Sequence, residues 1–159
     1  MAEGEFALVR QELALAFGQD WDDDIGQHDV QTALVDVAGL QRDEAAIRHY
    51  APAAEALAVR CDHKLYQGVI HRGWGVAHTL AGEYEQAQAR FNQALALFNG
   101  LGTRWQLGRT HFELGELAVA RGDRVTAHES FSQAVAAFEA MRAAPDLARA
   151  RAALAHLPG

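Results

Sequence analysis

Residues 68–98 read GVIHRGWGVAHTLAGEYEQAQARFNQALALF, and residues 108–138 read GRTHFELGELAVARGDRVTAHESFSQAVAAF. The second stretch repeats the first at a spacing of forty residues and without a gap. The identical positions are Gly68/Gly108, His71/His111, Gly75/Gly115, Gly82/Gly122, Ala87/Ala127, Phe91/Phe131, Gln93/Gln133, Ala94/Ala134, Ala96/Ala136 and Phe98/Phe138. A fixed spacing of this length indicates a repeat architecture, in which similar units stack along the chain.

Each copy has the pattern of a helix, a tight turn and a second helix. Apolar residues recur at helical spacing on both sides of Gly82-Glu83 and of Gly122-Asp123, and these glycine–acid pairs predict the turns. A further helical pattern follows Pro145 at the end of the chain. We expect this last helix to cover the exposed end of the stack.

The first third of the sequence repeats the pattern less clearly. A shift of forty-one residues places Ala46, Tyr50 and Ala53 on Ala87, Phe91 and Ala94. An earlier apolar pattern resembles the second half of an incomplete unit, which suggests a piece of a longer protein. We predict one domain over residues 1–159, made of an N-terminal helix (5–18), a divergent unit (25–60), two clear units (62–100 and 102–143) and a terminal capping helix (145–157).

Composition excludes several classes of protein. The chain has 159 residues, of which half are apolar, and it carries a net charge of −7, which argues against nucleic acid as the partner. Its single cysteine, Cys61, excludes an internal disulfide framework. No apolar run is long enough to span a membrane, and no signal peptide opens the chain. We therefore expect a cytoplasmic protein.

No group of residues predicts catalysis or metal binding. Asp20, Asp22 and Asp24 alternate as in a calcium loop, but Ile25 stands where that loop needs glycine, so a helix start explains them better. His71 and His111 are equivalent repeat positions and are expected in the helix interface. Trp105 aligns with Leu65 and is expected in the core. We predict no enzyme activity, no cofactor and no metal; a site hidden in the groove is the minor alternative.

The repeat resembles the tetratricopeptide repeat. The residues that carry this resemblance are Trp74, Gly75, Gly82, Ala87, Phe91 and Ala94 in one unit and Leu114, Gly115, Gly122, Ala127, Phe131 and Ala134 in the next. Units of forty residues exceed the usual length and resemble those of bacterial signalling proteins and regulators. The resemblance implies an all-α fold, a right-handed superhelical solenoid of antiparallel helix hairpins with about eight helices.

It also implies a concave groove lined by the first helices of successive units. We expect Gln31, Val35, Arg72, Val76, Arg109, Phe112, Glu116 and Arg149 to face this groove and to contact a ligand. Arginines on a rigid surface suit carboxylates, and a phenylalanine among them adds an apolar contact. Because we expect these arginines to be exposed, their replacement by alanine should leave folding nearly intact.

Two functions remain open. The first is a non-catalytic protein- or peptide-binding module, a regulatory or scaffolding part of a bacterial protein. The alternative is a self-association module that forms homodimers, because an open stack of helices has two ends that can pair with another copy.

Overall fold

Seven α-helices make up residues 24–157, the part of the chain that the computed structural model describes. They are α1 (Asp24–Leu40), α2 (Glu44–Arg60), α3 (Lys64–Leu80), α4 (Tyr84–Leu101), α5 (Arg104–Arg121), α6 (Arg124–Met141) and α7 (Ala144–Ala155). The helix predicted at residues 5–18 lies outside the described residues. Within them the fold is all-α, as predicted, and none of their helices is long and apolar enough to cross a bilayer.

The helices pack in chain order. Each helix contacts the next one along the chain, and α1 also contacts α3, as α3 contacts α5. This sequential packing is that of an α-solenoid and confirms the predicted fold class. The first helices of the hairpins, α1, α3 and α5, therefore lie side by side.

The turns between the helices follow a regular interval of twenty residues. The residues with positive φ are Arg42, Asp62, Gly82, Gly102, Gly122 and Arg142. After each of them, the next backbone N–H bonds to the carbonyl oxygen five residues before it, as from Asp123 to Ala118 at 2.9 Å. This bond is the Schellman arrangement that ends helices. The forty-residue repeat is thus two helix–turn segments of equal length.

Glycine and phenylalanine pair across each of the two clear hairpins. A Cβ atom on Gly75 would lie 2.4 Å from Phe91 Cε1, and one on Gly115 would lie 2.5 Å from Phe131 Cδ1. Gly68 approaches Phe98 in the same way, as Gly108 does Phe138. All four phenyl rings are almost completely buried. The missing side chain thus lets two helices approach until a ring fills the space between them.

Most other repeat positions also lie in the core. Ala87, Ala94, Ala127 and Ala134 are fully buried. Leu114 is buried as well, and Trp74 is half-buried against the same core. The turn glycines are exposed, because their role is conformational.

The register of the first hairpin corrects the sequence alignment. Its buried residues Ile47, Ala51, Ala54 and Ala58 fall forty residues before Ala87, Phe91, Ala94 and Phe98, and not forty-one. Tyr50, which was aligned with Phe91, is only half-buried. The shift of forty-one residues is wrong because the large and the small residue of the facing pair exchange places. Val35 stands in place of Gly75, and Ala51 stands in place of Phe91. The large residue has moved to the other helix of the hairpin.

Helix α7 covers the last hairpin. It packs against α6, and its Ala150 is fully buried. Leu147, Leu154 and Leu157 lie partly buried in the cluster that contains Phe131 and Phe138.

Candidate binding surface

Three charged residues from three helices meet where the first helices lie side by side. Arg109 of α5 donates two hydrogen bonds to the carboxylate of Asp36 in α1, at 2.8 and 3.0 Å. Arg72 of α3 donates to the same carboxylate at 2.9 Å and to the Gln106 side chain at 2.6 Å. We call Asp36, Arg72 and Arg109 the arginine cluster. It is a carboxylate held by two guanidinium groups, and Arg109 binds it in the bidentate geometry that makes such ion pairs strong.

The burial of this cluster overturns the expectation of exposed arginines. Arg72 is 3% exposed and Arg109 is 5% exposed, and both side chains pair with Asp36 of α1. Removal of one partner from a buried ion pair costs about 3–5 kcal/mol, since the other charge stays desolvated. Replacement of both arginines by alanine will therefore destabilise the fold, contrary to the prediction from sequence.

The ionisation of the cluster follows from burial and proximity. Burial raises the pKa of Asp36, but the attraction of Arg72 and the hydrogen bonds and charge of Arg109 outweigh it, so the pKa lies below its ordinary value. Burial and the repulsion of Arg109 lower the pKa of Arg72 to about 10. Both groups are therefore charged at neutral pH, and the ion pair is intact.

A second ion pair links the end of α1 to α5. Arg42 has a φ of 57°, and its guanidinium donates to Glu113 at 2.5 Å and to Glu116 at 2.8 Å. Glu113 is buried. Burial lowers the pKa of Arg42, but the two carboxylates together raise it above its ordinary value. The turn after α1 is thus fixed to a helix about seventy residues further along the chain.

The outer edge of the surface is accessible. Arg149 of α7 lies over the Phe112 ring, with its guanidinium carbon 4.0 Å from the ring centroid, and its side chain is 42% exposed. Its closest acidic oxygen is that of Glu113 at 3.7 Å. Trp105 is 43% exposed, donates to Asp146 at 2.9 Å and lies under Arg109. Trp105 is therefore not the core residue that its alignment predicted.

The eight predicted groove residues fall into three groups by exposure. Val35, Arg72, Val76, Arg109 and Phe112 are buried, and Gln31 and Glu116 are half-buried. Arg149 alone among the eight is exposed. The structure brings them into two separate sets of ion pairs. Asp36 pairs with Arg72 and Arg109, and Arg42 pairs with Glu113 and Glu116. Arg149 lies over Phe112, 3.7 Å from Glu113. Contact of these residues with a ligand stays a prediction.

Asp36 and Arg42 complete these ion pairs but were not predicted. Asp36 is the one acid in the apolar stretch from Ala33 to Ala38, where the segment reads ALVDVA. An acid in such a stretch needs a partner. That pattern, together with two arginines on neighbouring first helices, was the available signal.

The histidines expected in the helix interface form a separate group. His71 Nδ1 lies 2.8 Å from Arg90 Nη1, and Glu55 accepts from Arg90 and from the Trp74 indole. His111 is half-buried, and burial lowers its pKa. Within residues 24–157, no three histidine, cysteine or acidic side chains lie close enough together to hold a metal ion.

Comparison with known proteins gives one family match. Residues 66–140 match the family model described as tetratricopeptide repeat. The matched residues include both clear hairpins, with Arg72, Arg109 and Phe112 among them. A search of curated proteins found no relative of the chain.

Proposed function

We propose that this chain, whose residues 66–140 match the tetratricopeptide repeat model, is a non-catalytic module that binds a protein or peptide. Repeats of this family generally mediate contacts between proteins. The length of the units, which resembles that in bacterial regulators, supports a regulatory or scaffolding part of a bacterial cytoplasmic protein.

We place the first contact of the partner at the outer edge of the surface that α1, α3 and α5 form side by side, where Arg149 of α7 lies. Arg149 is the most exposed of the four arginines there, and the stack on Phe112 holds its guanidinium in place. A guanidinium has five N–H donors, so Arg149 can donate hydrogen bonds to the carboxylate of a peptide end or of an acidic side chain. The exposed ring of Trp105 offers an apolar contact on the same helix as Phe112. Exposed Trp and Arg side chains are the residue types that most often dominate binding energy.

The test uses a partner captured from the source cells with the full chain as bait. Its affinity is then measured by calorimetry for the parent, Arg149→Ala and Trp105→Ala. Arg149→Ala should bind about tenfold more weakly or worse, the loss expected when a charge-assisted contact is removed. Arg151→Ala is the matched control, because Arg151 lies on the same helix, is exposed and pairs with Glu139. Unchanged affinity for Arg149→Ala and Trp105→Ala would contradict this site.

Self-association remains the alternative function. Sedimentation of the purified chain over a hundredfold range of concentration separates the two functions. A dimer that dissociates on dilution, in a chain that captures no other protein, would favour self-association.

A further inference from the structure

The arginine cluster has the geometry of an occupied binding site. A single carboxylate accepts two hydrogen bonds from Arg109 and one from Arg72, on two different helices. This carboxylate comes from α1 of the same chain and not from a ligand. Asp36 thus fills the position that an acidic partner would take on these two arginines.

Helix α1 carries buried polar atoms whose hydrogen-bonding capacity is not used. Three buried polar atoms lack a hydrogen-bond partner within the described residues, and all three are on α1: His28 Nε2, Gln31 Oε1 and Thr32 Oγ1. Polar atoms that lose water without gaining a partner reduce the net stability of the packed state. The packing of α1 therefore carries this cost, which is offset by the ion pairs of Asp36 and Arg42 and by the burial of Leu34, Val35 and Ala38.

Solvent reaches the cluster from one side. The Asp36 side chain is 27% exposed, although both arginines are buried. It borders a small pocket, which is also lined by Gly39, Leu40, Val76 and Glu113. A carboxylate of a partner can approach the arginines through this pocket as α1 moves away.

We propose that the Arg72–Arg109 pair is a carboxylate-binding site that Asp36 occupies in the free protein, and that an acidic segment of the partner displaces α1 from it. The inference rests on the proposed function, because it supplies the regulation of the same surface. Arg149 makes the first contact at the edge, and the buried pair becomes available when α1 is released. A binding-competent state that is rarely populated lowers the apparent affinity in proportion to its population.

Hydrogen–deuterium exchange measures the release of α1 without any ligand. In the parent protein, amides of α1 should exchange at least about tenfold faster than those of α3 to α6, because α1 opens on its own. Asp36→Asn should accelerate exchange in α1 further and leave α3 to α6 nearly unchanged. Exchange of α1 at the same rate as the other helices would overturn the inference.

Binding of a defined acidic probe measures the competition. A fluorescein-labelled hexaglutamate peptide is titrated by anisotropy at constant low salt, with hexaglutamine as the neutral control. Asp36→Asn should bind hexaglutamate at least about tenfold more tightly than the parent. Glu129→Gln is the matched control, since it removes an exposed acid of α6 far from the cluster, and it should bind like the parent.

A second variant weakens another attachment of α1 and leaves the arginine cluster intact. Arg42→Gln removes the pairs with Glu113 and Glu116 and should also tighten binding of the probe. Its control is Arg48→Gln, which removes comparable surface pairs with Glu44 and Glu83. Equal affinity of the parent, Asp36→Asn and Arg42→Gln, or no binding by any of them, would overturn the inference. The proposed function is decided separately, by the captured partner and Arg149→Ala.

Discussion

At the scale of single residues, the left-handed position of each turn matters for stability. Glycine occupies it at Gly82, Gly102 and Gly122, where it adopts a positive φ without strain. Arg42, Asp62 and Arg142 occupy the equivalent positions with φ values between 50° and 57°. The left-handed conformation costs a residue with a Cβ atom about 1–2 kcal/mol. The six turns therefore share one geometry but differ in strain.

Substitution at equivalent turns should have opposite effects. Arg142→Gly should stabilise the fold by up to about 1 kcal/mol, because it removes the strain while it adds some entropy to the unfolded chain. Gly122→Ala should destabilise it by about 1–2 kcal/mol for the converse reason. Urea unfolding followed by circular dichroism measures both free energies. A destabilised Arg142→Gly would contradict this account of the turns.

Arg42→Gly is the informative control. It relieves the same backbone strain, but it also removes the ion pairs with Glu113 and Glu116 and leaves a buried carboxylate with a weaker partner. The loss should exceed the gain, since a buried charge without its partner costs more than a left-handed φ. Arg42→Gly should thus be less stable than the parent, in contrast to Arg142→Gly.

At the scale of helices, the sequence predicted what local spacing determines. The glycines and phenylalanines of the two clear hairpins recur at the same interval, and their pairing in the structure explains why. The first hairpin was aligned one residue out of register because Val35 and Ala51 carry the large and small side chains in exchanged places. A comparison of residue types position by position does not reveal such an exchange. A comparison of the summed side-chain volumes of each facing pair does.

The burial of the predicted groove could not be read from local spacing. Asp36 and Arg109 are separated by 73 positions, and they meet because α1, α3 and α5 lie side by side. Whether Asp36 of α1 reaches both arginines depends on the small rotation between successive hairpins, which accumulates along a solenoid. Periodicity identifies the face of each helix but does not give this rotation. The sequence therefore predicted that Arg72 and Arg109 lie on neighbouring first helices, and it did not predict their burial; contact of the site residues with a ligand stays a prediction.

The capping role of α7 is tested by one buried alanine. Ala150 is fully buried in the cluster with Phe131 and Phe138, so Ala150→Asp places a charge where no water reaches it and should detach the helix. Removal of residues 145–159 should have the same effect. Both changes should uncover apolar surface and cause dimers or aggregates, which light scattering detects.

Ala148→Asp adds the same charge at an exposed position of α7 and should leave the chain unchanged. A protein that lacks residues 145–159, scatters as a monomer and melts like the parent would contradict a capping role.

At the scale of the whole molecule, the ion pairs join helices that are not neighbours in the chain. Stability in a repeat array is normally a sum of units and of contacts between adjacent units. Here Asp36 and Arg42 connect the first hairpin to α5 of the third. These ion pairs therefore couple the first hairpin to the second and third, and release of α1 breaks that coupling.

As the pH falls from neutral, the stability of the fold should decrease first because of buried and half-buried histidines, and only at lower pH because of carboxylates. Burial lowers the pKa of His28, His71 and His111 below 6.5, and the charges of His63 and Arg90 lower the first two further. A lowered pKa means that the folded state binds fewer protons than the unfolded state as the pH falls through about 6.5. The stability that these histidines contribute is therefore complete above that pH and is lost as the pH falls below it.

We expect the free energy of unfolding to decrease from pH 7.5 to pH 5, with a further decrease below about pH 4 as Asp36 takes up a proton. Urea titrations at fixed ionic strength measure this profile. His111→Gln should make the decrease between pH 7.5 and 5 shallower, because one buried group no longer takes up a proton on unfolding. His128→Gln is the matched control, since His128 is exposed on α6, and its profile should follow the parent. A parent protein equally stable at pH 7.5 and pH 5 would show that the buried imidazoles accept protons without cost to the fold.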